Sequence, residues 1–165
     1  MATCPRREKK DATPIRTSYA VALAINGVSP DKMINPIEKY CNHIHPDFES
    51  AMQRLKTSLT KRRDGTFNTD LEALTYIGQG WVGEEAFAMA LYSAIQYPDD
   101  LKTCLRVSVN HDGDSDSVAC IAGSILGAFH GMSIIPKDWI DCLAEKERME
   151  SFLSKVMEFF KENFS

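Results

Sequence analysis

The sequence predicts an all-α domain, and three observations carry that expectation. Apolar residues recur at three- and four-residue intervals, no long alternating strand pattern appears, and the periodic stretches are separated by Gly, Pro, Asn and Asp positions that start or stop helices. With 165 residues, 44% of them hydrophobic, the chain can bury one core, and a second independent domain is not expected.

Residues 1–16, MATCPRREKKDATPIR, carry charge with no apolar segment behind them and read as a disordered lead-in rather than a secretory signal. The helical domain is expected over 17–165. Thr17 to Ile25 forms a buried helix ended by Asn26-Gly27, and Ser29-Pro30-Asp31 opens the next, to about Asn42, with a capping residue followed by proline. After His45-Pro46, an amphipathic helix places Phe48, Met52, Leu55 and Leu59 on one face and runs into an Asp64-Gly65 turn. Asn68 or Thr69 caps a short helix through Tyr76, which Gly78-Gln79-Gly80 breaks.

A further helix begins near Val82, with Glu84 and Glu85 at the positive end of its dipole and Phe87, Ala90, Leu91 and Ala94 as its buried stripe. Pro98 starts a short helix to about Val109. Ser117 to about His130 is a core helix, and Pro136 with Lys137-Asp138 opens two terminal helices.

Several classes of function find no support. The 19 basic and 23 acidic residues give a net charge of −4 with no basic stripe, so no nucleic-acid footprint is expected. Five scattered cysteines (Cys4, Cys41, Cys104, Cys120, Cys142) without a CxxC pair suggest neither a disulfide framework nor a zinc site, and fit a reducing, cytoplasmic setting. Val118 to Ile135 is apolar and carries Gly123, Gly127 and Gly131 at close-packing spacing. It is barely long enough to span a bilayer, includes Ser124, His130 and Ser133, and lacks a basic flank, so no membrane helix is expected. His43, His45, His111 and His130 form no i, i+4 pair and no serine sits in a nucleophile elbow, which leaves covalent and histidine-based catalysis without a basis.

The chemistry concentrates in Asn110-His111-Asp112-Gly113-Asp114-Ser115-Asp116-Ser117. Three carboxylates alternate over five residues before a core helix, and such charges repel unless a cation compensates them. A hard divalent ion takes carboxylate and hydroxyl oxygens, and in a turn entering a helix Asp114, Asp116 and Ser117 can converge on one. Gly113 is expected to let the loop turn tightly. The competing reading is that Asp116 or Ser117 caps the helix and the other aspartates sit in water. An EF-hand is excluded, because Ser117 stands where that loop needs glycine and Gly123 where it needs glutamate. A small-residue stripe, Ala119, Ala122, Gly123, Gly127 and Ala128, implies close approach of a neighbouring helix, and His111 is expected to orient the loop.

The second segment, Gly78-Gln79-Gly80-Trp81-Val82, offers backbone N–H groups to an anion and, through Trp81, a flat surface for a ribose or base. Against this stands the more frequent outcome for an isolated GxG, a helix stop with the tryptophan packed in the core. Glu85 is expected to hold a neighbouring loop rather than to act as general acid or base.

Together GQGWVGEEAFAMALYSAIQY, NHDGDSDSVACIAGSILGAFHG and IPKDW resemble the C-terminal half of the ADP-ribosylglycohydrolase family, in the family's order and spacing, from about Ser18 to the end. The resemblance implies an orthogonal all-helical bundle, incomplete here on its N-terminal side, with two magnesium ions (manganese is the alternative) in a cleft that removes ADP-ribose from modified proteins. Asp114, Asp116 and Ser117 then correspond to metal ligands, Gly80 and Trp81 to the loop contacting ADP-ribose, and Glu85 to a structural glutamate. In the family the metal pair orders the ribose hydroxyls and a water attacks the anomeric carbon with a carboxylate assisting.

The family's N-terminal Gly-Asp loop, catalytic acid, Thr-Asp-Asp set and His-Gly-His-Pro stretch do not occur in this sequence, and the lead-in holds only Glu8 and Asp11 as acids. No catalytic residue is therefore assigned. The isolated chain is expected to be impaired, or to depend on a complementary N-terminal half or on self-association. The alternative is a non-catalytic module that binds ADP-ribose or another protein.

Overall fold

A computed structural model describes residues 13–41 and 46–164. Their elements are nine α-helices with short 3-10 turns and no strand: α1 (Thr13–Ile25), α2 (Ile34–Cys41), α3 (Pro46–Arg63), α4 (Asp70–Ile77), α5 (Gly83–Gln96), α6 (Leu101–Val109), α7 (Ser115–His130), α8 (Lys137–Asp141) and α9 (Lys146–Phe164). The all-α expectation holds. Residues 1–12, with Cys4, Glu8 and Asp11, and the linker holding Asn42, His43 and His45 lie outside the described residues. The chain forms two compact units, one ending at Ile134 and the other starting at Ile135.

The first unit is built around α5. Every residue from Ala86 to Ala94 is buried, because α5 packs against α1, α3, α4, α6 and α7. The single stripe expected from sequence is thus too narrow: an apolar helix surrounded by neighbours buries all its faces. Phe48, Ala51, Met52, Leu55 and Ser58 of α3 line one side of this core, close to the face anticipated. On the other side α7 packs against α1, α5 and α6. With the 3-10 turn that follows it, α7 forms a segment Ser115–Ile134 of mean hydropathy 1.5, long and apolar enough by composition to cross a membrane. In its small-residue stripe Gly123 lies against Leu105 of α6, whereas a Cβ on Gly127 would meet nothing within 4 Å among the described residues.

Four boundaries differ from the sequence reading, among them the start of α6, which lies at Leu101 behind an Asp100 cap rather than at Pro98. α1 begins at Thr13, and Arg16 lies inside it, fully buried, with its guanidinium 4.1 Å over the Phe48 ring and 3.6 Å from Glu84 Oε1. The single helix expected from Ser29 to Asn42 is split into a 3-10 turn at Pro30–Lys32 and α2. The cause is Pro36, which inside a continuous helix would supply no N–H and would clash with the preceding turn; as the third residue of α2 it is harmless. α7 starts at Ser115 rather than Ser117.

Local chemistry accounts for the elements flanking the site. Thr69 caps α4 through a reciprocal box with Glu72, the Thr69 hydroxyl accepting from the Glu72 amide at 3.2 Å. Asp70, in the first turn of α4, accepts from Tyr92 OH (2.8 Å), Tyr97 OH (2.6 Å) and Arg62 Nε (3.2 Å), tying α3, α4 and the end of α5 together. The second unit is the expected pair of terminal helices, joined where Asp141 accepts from Lys146 Nζ at 2.8 Å.

Candidate functional site

The loop between α4 and α5 and the loop between α6 and α7 meet side by side. The Asp114 amide donates to the Gln79 carbonyl at 2.8 Å, and a Cβ on Gly113 would overlap that same carbonyl. Glycine is therefore needed at 113 for close approach, not for the tight turn expected from sequence, since its φ lies outside the left-handed region. Gly80 has φ +79° and lies against Val118 and the Asp114 carbonyl, so both the backbone conformation and the space there favour glycine.

Between these loops and the first turns of α5 and α7 lies a cleft of about 560 Å³, lined by Gly80, Trp81, Asp114, Asp116 and Ser117 together with Gly83, Ala86, Cys120 and Ile121. All five site residues picked from sequence thus share one cavity. Cys120 and Ile121 were missed, although Cys120, four residues after Asp116, repeats on the same face of α7. Trp81 is 68% exposed at the cleft and not packed in the core.

Asp114 occupies the N-cap position of α7 but makes no side-chain cap bond, and the Ser117 amide donates to Asp116 Oδ1 at 3.0 Å. Capping alone does not explain the cluster. Interaction with the Asp116 carboxyl first, and then with the Ser117 side chain, holds the Asp114 carboxyl below its usual range. Two carboxylates in one turn repel unless a cation compensates them. With the hydroxyl they form a hard oxygen donor set that fits magnesium or manganese, though only part of a shell of about six ligands. No group of three or more His, Cys, Asp or Glu side chains suited to a metal occurs among the described residues.

His111 supports the loop. Its Nδ1 accepts from the Gly113 amide at 3.1 Å, and burial pushes its pKa down, which keeps the ring neutral and able to accept. The turn at Gly78–Gly80 departs from expectation in one respect. The Gln79 and Gly80 amides donate to Glu85 Oε2 at 3.0 and 3.3 Å, so the anion they hold is the chain's own carboxylate. Glu85 holds the loop, as anticipated, and a Cβ on Gly78 would run into its carboxyl group. The described cysteines are free thiols, and burial pushes Cys104 up to about 12, which leaves it unreactive.

The chain matches the family model described as ADP-ribosylglycohydrolase over residues 16–164. It is 23% identical to the ADP-ribosylhydrolase ARH3 of Mus musculus over 90% of this chain and 46% of that protein. It is 35% identical to the ADP-ribosylarginine hydrolase Tri1 of Serratia proteamaculans over 38% of this chain and 17% of that one. To the ADP-ribosyl-[dinitrogen reductase] glycohydrolase of Rhodospirillum rubrum it is 38% identical, over 32% and 18% respectively. The chain thus spans less than half the length of these relatives. No solved structure matches it.

Proposed function

Because the chain belongs to the ADP-ribosylglycohydrolase family, we propose that its cleft is one part of a metal-dependent site that hydrolyses the bond between ADP-ribose and a modified protein side chain. The observation that carries this reading is the convergence of Gly80, Trp81, Asp114, Asp116 and Ser117 on one cavity.

Asp114, Asp116 and Ser117 hold the ion through two carboxylates and a hydroxyl. Magnesium or manganese, when bound, supplies a hard Lewis acid to which ribose hydroxyls can bind and beside which water is more readily deprotonated. Trp81 lies flat against the ribose or base, and Gly80, without a side chain, lets the ligand approach the loop backbone. Ligand phosphates draw their donors from elsewhere, since the Gln79 and Gly80 amides already serve Glu85. The remaining ligands and the proton-transfer group come from the family's N-terminal motifs. The site works in the cytoplasm on ADP-ribosylated protein.

A second reading is favoured by the small number of donors: a module that binds ADP-ribose, or a partner, without turning it over. The two separate in an assay of magnesium-dependent ADP-ribose release from an ADP-ribosylated arginine or serine peptide. The chain is tested alone and with a polypeptide carrying the N-terminal motifs. Release that is lost on Asp116→Ala is expected. No release even after complementation contradicts the hydrolase, and release by the isolated chain, lost in the same variant, contradicts the binding module.

A further inference from the structure

Glu85 does not line the cleft, yet it controls the loop that does. Its Oε2 accepts from the Gln79 and Gly80 amides, and the Gln79 carbonyl in turn accepts from the amide of Asp114 at 2.8 Å. A carboxylate bonded to two amides and half out of water needs a compensating charge, and Arg54 of α3 stands 3.3 Å from Glu85 Oε1. The same guanidinium donates through Nε to the Ile77 carbonyl at 2.6 Å, the last residue of α4, and through Nη1 to Ser50 Oγ at 3.0 Å. One planar group therefore ties the end of α4 and the carboxylate of α5 to α3 through separate nitrogens, a spread fork that a lysine, with all three donors on one nitrogen, does not reproduce.

We propose that Arg54 is a positioning residue of the cleft, acting through Glu85 to hold the Gln79 carbonyl where the Asp114 amide reaches it. The path runs through three consecutive polar contacts from α3 to the aspartate loop: Arg54 to Glu85, Glu85 to the Gln79 amide, and the Gln79 carbonyl to the Asp114 amide. Its value to the molecule rests on the function proposed above, whereas its geometry does not.

The test is amide hydrogen exchange of this chain, residue by residue. In Arg54→Met, the amides of Gln79, Gly80 and Asp114 should exchange about tenfold faster or more, while Leu91 in α5 and Ile125 in α7 stay within about twofold of wild type. Arg54→Lys, which keeps the ion pair but loses the fork, should fall between. Glu85→Gln, which drops the charge yet retains a carbonyl acceptor, should loosen the same three amides and decides the matter if Arg54→Met does not fold. Unchanged exchange at Asp114 and Gly80, or acceleration spread evenly through α5 and α7, overturns the proposal. Manganese titration followed by electron paramagnetic resonance separates the two claims. A wild-type chain that binds no manganese removes the functional reading, while the exchange rates still decide the positioning role.

Discussion

Replacing Gly113 by alanine puts a methyl group into space that the Gln79 carbonyl already fills. The obstacle is backbone, so no side-chain rotation relieves it, and the two loops must separate by an ångström or more, roughly the amount needed to restore van der Waals contact. Separation breaks the Asp114 amide bond to the Gln79 carbonyl, 2.8 Å in length, at a net cost of about 0.5–1.5 kcal/mol, and the residual overpacking adds about 1 kcal/mol. The sum is about 2 kcal/mol. For a chain of this size that lowers the melting temperature by about 4–8 °C.

Gly127→Ala supplies the control, because a Cβ there meets nothing within 4 Å and alanine is the better helix former by about 1 kcal/mol. Its melting temperature should rise by about 2–4 °C. Circular dichroism melts of the two variants therefore move in opposite directions, and manganese affinity falls only in Gly113→Ala. A Gly113→Ala chain that melts within a degree or so of wild type and binds manganese equally well would refute the packing of the two loops.

Other outcomes follow from the same contacts. Thr69→Ala removes the hydroxyl of the α4 capping box and should cost about 1 kcal/mol in a denaturant titration, with little change in slope. The Asp70 carboxylate bonded to Tyr97, together with burial, raises the Tyr97 pKa, and burial followed by the same carboxylate raises that of Tyr92. Both phenols thus ionise less readily folded than unfolded, so their contribution to stability is complete below pH about 10 and declines as pH rises above it. Melting temperature should fall in that alkaline window, and the fall should shrink in Tyr92→Phe/Tyr97→Phe; an equal fall in both proteins contradicts the assignment.

Much of the fold was legible because its signals are local. The Thr69 box, the Asp64-Gly65 turn and the apolar spacing of α3 can each be read within a few residues. So can the alternating aspartates. What could not be read depends on contacts distant in sequence. The reason for glycine at 113 is a carbonyl 34 residues earlier. The loop-holding role of Glu85, by contrast, was anticipated, because the two amides it accepts from lie only 6 and 5 residues before it. Arg54 gave no sign, sitting on the polar side of an amphipathic helix whose charges read as a solvated face, yet it reaches Glu85 across 31 residues. Pro36 was in plain view, and its effect on the helix from Ser29 follows from local rules that the capping signal at Ser29-Pro30 overshadowed.

The central claim is that Asp114, Asp116 and Ser117 hold a divalent ion beside a loop that receives ADP-ribose. Isothermal titration of ADP-ribose into the full chain, with and without manganese, tests it most directly. Manganese-dependent binding that disappears in Asp116→Ala and weakens about tenfold or more in Trp81→Ala is the expected result. Binding that is indifferent to manganese, or that survives both substitutions, would contradict it.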